Sequence, residues 1–127
     1  MSLNLKLPGL IVPPLTPFND HQKVDYQLLE KGVNYVVEDC NAAMVIAAGV
    51  EAQEYHYLKL EERKELIKKT IDFVGNRCPV AVGVSHPSYQ IAIELAHYAQ
   101  DLGAQAVQLL APLRAFGGEP SHQETLD

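Results

Sequence analysis

The chain has 127 residues, 47% of them hydrophobic and 20% charged, enough for one ordinary domain with a real core and not the composition of a disordered chain. Its formal charge is -6, from ten basic and sixteen acidic side chains, which argues against a nucleic-acid or anionic-membrane surface, since either needs clustered Lys and Arg. Two cysteines, Cys40 and Cys78, form no C-x-x-C pair and no disulfide framework.

No stretch approaches the roughly 18 apolar residues that cross a bilayer, and residues 1–8 lack the charged and apolar pattern of a signal peptide. The expectation is a cytoplasmic protein with reduced thiols. The one basic cluster, Arg63, Lys64, Lys68 and Lys69, is interleaved with Glu61, Glu62 and Glu65. At helical spacing that predicts a solvated, salt-bridged face.

In chain order, Gly9-Leu10-Ile11-Val12 is an apolar run ended by Pro13-Pro14 and Thr16-Pro17, which predicts a short strand. Asp25 is a good N-cap, and Tyr26, Leu29, Val33, Val36, Val37 and Cys40 recur at helical spacing, predicting a helix of about four turns. Residues 43–48 are continuously apolar and meet Gly49, the pattern of a strand buried on both faces. A helix is predicted from Glu61 to Val74, with Leu66, Ile67, Thr70, Ile71 and Val74 inside and Gly75 as its stop.

Residues 79–84 read as the next buried strand. Ser88 should cap a helix that buries Ile91, Ala92, Leu95, Ala99 and Leu102 and ends at Gly103. Residues 106–110 read as a fourth strand, closed by Pro112, and Ser121 with Glu124 resembles a capping box. Strands alternating with helices on short connections imply right-handed crossovers and a parallel sheet. A closed barrel and an open flavodoxin-like sheet both fit; strand order separates them, 1-2-3-4 for the barrel and 2-1-3-4 for the doubly wound sheet.

Ligand sites in such folds lie at the carboxyl ends of strands. That rule selects four segments: 13–18, 49–57, 84–88 and 111–118. Glu51 and Glu54 in the second could do acid–base work, or simply face a helix N-terminus. His56 and His86 follow strand ends; His21, His97 and His122 do not, and no pair has metal-ligand spacing. Tyr55 and Tyr57 could offer hydroxyls or pack the loop. Arg114, the only cation at a strand end, could hold a carboxylate. Dinucleotide, P-loop and hydrolase-elbow signatures are absent.

Pro14-Leu15-Thr16-Pro17-Phe18, then Val24-Asp25-Tyr26, Leu58-Lys59-Leu60-Glu61-Glu62-Arg63, residues 79–84, Ala92-Ile93-Glu94-Leu95-Ala96 and Leu102-Gly103-Ala104-Gln105-Ala106-Val107 together resemble the dihydrodipicolinate synthase and N-acetylneuraminate lyase family, over roughly residues 9–127. The resemblance implies an α/β parallel (β/α)₈ TIM barrel, of which residues 1–127 would be the N-terminal half of a single domain. It implies a class I aldolase-type lyase in which a lysine forms a Schiff base with a 2-keto acid or related carbonyl compound. A homo-oligomer, dimer or tetramer, is also implied, and no cofactor or metal.

The Schiff-base lysine of that family lies on strands after the fourth, so no catalytic residue is expected within this chain, and the chain alone should be inactive. Where the family has a threonine pair for the keto-acid carboxylate, this chain has Glu51 and Ala52, followed by Glu54 at the position of the family's glutamate. Where it has a tyrosine pair, this chain has Leu113 and Arg114. Glu51, Ala52, Glu54 and Arg114 are therefore the expected substrate-binding residues, with Arg114 either holding the substrate acid or pairing with Glu51. A non-catalytic relative that binds a metabolite or a partner subunit is the alternative. A complete barrel takes about 250 residues, so the chain stops before closure, with two sheet edges unpaired and prone to recruit partners.

Overall fold

Short apolar runs bounded by Pro and Gly persist as strands when both of their faces find cover. The computed structural model describes residues 9–52, 54–111 and 121–126. Its elements run β1 (Ile11–Val12), α1 (Tyr26–Asn34), β2 (Met44–Ala47), α2 (Glu54–Tyr57), α3 (Leu60–Val74), β3 (Val80–Gly83), α4 (Tyr89–Asp101), β4 (Ala106–Gln108) and α5 (His122–Leu126). The strands form one sheet in the order β1-β2-β3-β4, and every pair is parallel. Sequential order is that of a barrel segment, and it excludes the doubly wound arrangement.

The helices begin and end for local reasons. Asp25 caps α1 by accepting the Leu28 N–H at 3.0 Å. The helix continues past Asn34 as a π turn, Tyr35–Asp39, so the expected four turns are present with the last one widened. Glu62 accepts the Lys59 N–H at 3.0 Å at the start of α3. That helix ends at Gly75, whose φ of 58° suits a residue without Cβ. Arg77 then donates to the Phe73 and Val74 carbonyls and reaches back to Glu38 and Asn34, tying α3 to the end of α1. Ser88 stands at the N-cap of α4 but makes no side-chain cap bond. Helix α5 follows Ser121, while the Glu124 side chain of the expected capping box lies outside the described residues.

Val45, Ala47, Val80 and Val82 face the helices, against Leu29 and Val33 of α1, Leu66, Ile67 and Val74 of α3, and Leu95 and Ala99 of α4. Burying one such large side chain contributes about 1.5–3 kcal/mol. The opposite face carries Met44, Ile46 and Ala81, with Ala106 beside them. Register aligns Ile46 with Ala81 and Ala81 with Ala106, then Gly83 with Gln108. These are successive layers of what lines a barrel interior. Leu10 and Ile11 at the β1 edge, and Val107 and Leu109 at the β4 edge, are exposed.

The basic cluster on α3 departs from expectation at one residue. Lys64 pairs with Glu61 and Glu94, and Lys68 with Asp72, as a solvated face should. Arg63 is only 1% exposed, and its guanidinium donates to the Gly83 carbonyl at 2.7 Å and the Ser85 carbonyl at 2.8 Å. Position explains it. Arg63 precedes Leu66 by three residues and Ile67 by four, so it projects from the buried stripe. Its planar fork then meets two carbonyls at the end of β3.

Candidate functional site

The site is built by a turn at the end of β2. Ala48 has φ 49°, a left-handed conformation that a residue with Cβ rarely adopts and that costs of order 1–3 kcal/mol. The turn sends the chain across the end of β3. A Cβ on Gly83 would collide with the Ala48 carbonyl oxygen and come within 3.1 Å of Gly49 Cα. Glycine at position 83 is what permits this crossing.

Beyond it, a 3₁₀ turn over Val50–Ala52 carries Glu51. The Glu51 carboxylate folds back over Gly49, where a Cβ would lie 2.7 Å from Oε2 and 3.1 Å from Pro13 Cβ at the end of β1. From β4, Gln108 Nε2 donates to Glu51 Oε1 at 2.6 Å. Glu51 thus meets a residue of β4, on a loop that has crossed β3 and whose Gly49 lies beside Pro13 at the end of β1. Because the amide nitrogen must face the carboxylate, the orientation of Gln108 is fixed. Its Oε1 is buried with no hydrogen-bond partner among the described residues.

A second link holds the far side. The buried Ser85 hydroxyl accepts the Leu110 N–H at 2.9 Å, joining the end of β3 to the chain leaving β4. Arg63 holds the Ser85 carbonyl from the helix side. Three residues far apart in sequence therefore fix one strand end.

Of the expected substrate-binding residues, Glu51 is at this mouth and Ala52 ends the turn that carries it. Glu54 begins α2, but its side chain lies outside the described residues. So does Arg114, with both of the roles expected for it. Glu51 accepts from Gln108, which is a different task from facing a helix N-terminus. His86 Nδ1 accepts the Ser88 N–H at 2.9 Å, which makes it a turn-forming residue. Tyr57 and His56 are exposed on α2, and His97 and His122 are exposed on α4 and α5.

Among the described residues, no three His, Cys, Asp or Glu side chains gather as a metal site. No described helix is long and apolar enough to cross a membrane. Cys40 and Cys78 are free thiols, and burial pushes the Cys78 thiol upward.

Sequence reasoning missed Gln108, Arg63 and Ser85. Gln108 had a signal, as the one amide in an otherwise apolar strand. Arg63 had one too, in its phase with Leu66 and Ile67. Ser85 had a positional one, since it lies in the strand-end segment 84–88.

A family model for the dihydrodipicolinate synthetase family matches residues 6–123. The chain belongs to that family. The 4-hydroxy-tetrahydrodipicolinate synthase of Methanocaldococcus jannaschii is 35% identical over 104 residues, covering 82% of this chain and 35% of that protein. Among solved structures, dihydrodipicolinate synthase DapA-2 of Bacillus anthracis superimposes with a TM-score of 0.82 at 26% identity, covering 98% of this chain and 40% of that one. YagE of E. coli K12, a prophage protein of the same family crystallised with pyruvate, gives a TM-score of 0.77 at 26% identity, covering 88% of this chain and 37% of that one. The four-stranded parallel sheet is thus part of a TIM barrel, and the chain spans between a third and two fifths of the length of these relatives.

Proposed function

We propose that residues 1–127 are the N-terminal half of a single barrel domain, in a lyase of aldolase type acting on a 2-keto acid or related carbonyl compound. The lysine that forms the Schiff base lies on a strand after the fourth, and this half supplies the substrate mouth. The observation that carries the reading is the convergence of Glu51, Gly49, Gly83 and Gln108 at the carboxyl ends of the strands. That is where parallel β/α folds bind ligands. Ala52, Glu54 and Arg114 complete the proposed substrate contacts. Membership of the family, and a pyruvate-bound relative with the same fold, support a carbonyl substrate.

The chemistry asks for a desolvated lysine of lowered pKa, attacking a carbonyl and needing no cofactor. Assembly as a dimer or tetramer belongs to the same proposal, supported by membership of the family. The test is borohydride reduction with pyruvate or another 2-keto acid, on the polypeptide that includes the later strands, followed by mass measurement. A covalent adduct on one lysine is the expected result. No adduct with any carbonyl compound would remove the lyase reading.

A further inference from the structure

The mouth carries one carboxylate among the described residues, that of Glu51. Glu51 uses Oε1 to accept from Gln108, and its Oε2 lies over Gly49. Gln108 Oε1 is buried and not open to a ligand. Among the described residues, Glu51 makes no ion pair. A carboxylate brought beside the Glu51 oxygens meets a like charge. A hydroxyl brought there donates to Glu51 Oε2.

We infer that Glu51 and Gln108 make this mouth select a carbonyl compound bearing a hydroxyl, an α-hydroxy ketone, over one bearing a carboxylate beside the carbonyl. The inference rests on the carbonyl-site reading and narrows it. Glu51 is the specificity-determining group. Gln108 positions it, since the amide fixes one carboxylate oxygen and leaves the other to the ligand. The Gly49 Cα beneath supplies the room, because any Cβ there would crowd Oε2.

The probes are hydroxyacetone and pyruvate, which differ only in having a hydroxymethyl or a carboxylate beside the ketone. Each is titrated into the polypeptide that includes the later strands while the Gln108 side-chain amide and the Ser85 and Leu110 backbone amides are followed by NMR. Hydroxyacetone should bind about tenfold more tightly than pyruvate, the cost of a partly screened like-charge contact. E51Q, which keeps the size and removes the charge, should bring the two affinities together, and E51T should do the same. Pyruvate binding as tightly as hydroxyacetone to the unsubstituted chain, or a ratio unchanged in E51Q, overturns the inference and leaves the carbonyl site standing. If neither compound moves any of these signals, the carbonyl-site reading falls as well.

Discussion

The helix-facing layer and the strand-end mouth are held by different physics. The layer behind the sheet is apolar, with Leu66, Ile67, Val33 and Leu95 packed on Val45, Ala47 and Val82. It is stabilised by area removed from water and tolerates some exchange of shape. At the mouth, the apolar packing of Ala48, Val50 and Val84 is joined by a polar frame. The mouth depends on a left-handed Ala48, a glycine at 83 and three polar links: Arg63 to the β3 carbonyls, Ser85 to Leu110 and Gln108 to Glu51. The core fixes where the strands lie, and the polar links fix where their ends point.

Arg63 belongs to both regions, so its loss should cost most. R63A removes two charge-assisted hydrogen bonds and leaves two carbonyls without their donor, which should lower stability by about 3–5 kcal/mol in denaturant unfolding. R63K should recover only part of this, because a single ammonium cannot reproduce the planar fork. A loss near that of an exposed residue would show that the end of β3 does not need its helix-side anchor.

L66A tests the core alone. It should cost about 3 kcal/mol, while the Leu110 amide keeps its protection from exchange relative to the rest of the sheet. G83A tests the mouth alone. Its Cβ would strike backbone rather than a flexible side chain, so the loss should be about 2 kcal/mol, with the largest chemical-shift changes at Ala48 and Gly49. Equal disturbance of both regions by either variant would dissolve the distinction.

The smallest effect concerns pH. Burial, then the nearby Glu65 and Glu62 carboxylates, push the Tyr26 phenol up to about 12 from 10.0. Its unfolded form therefore loses the proton first as pH rises. The contribution is complete below pH 10 and is lost between about 10 and 12. Melting curves across that range should decline less steeply for Y26F than for the unsubstituted chain.

The architecture was legible because it rests on periodicity. Residues 43–48 and 79–84 are apolar without a break, Asp25 precedes a helical stripe, and Gly75 follows another. These signals are local and need no knowledge of the partner. The mouth was only half legible. Glu51 was visible as a carboxylate after a strand, but its partner Gln108 lies 57 residues away, and only register brings them together. Arg63 was misread because its charge was weighed above its phase on the helix. Buried arginines occur where a fork of donors meets carbonyls, and those carbonyls belong to a strand that follows it in the chain. Ala48 gave no sign of its left-handed turn, since glycine is the residue that normally announces one.

The most direct test of this account is the side-chain amide of Gln108. In the full chain, its N–H facing Glu51 should be shifted downfield and should exchange slowly with solvent. E51A should return both properties to those of an exposed glutamine while leaving the β2 and β3 amides unchanged. An amide that behaves identically in the two proteins would mean that Glu51 is not held over the strand ends, and the mouth described here would have lost its defining contact.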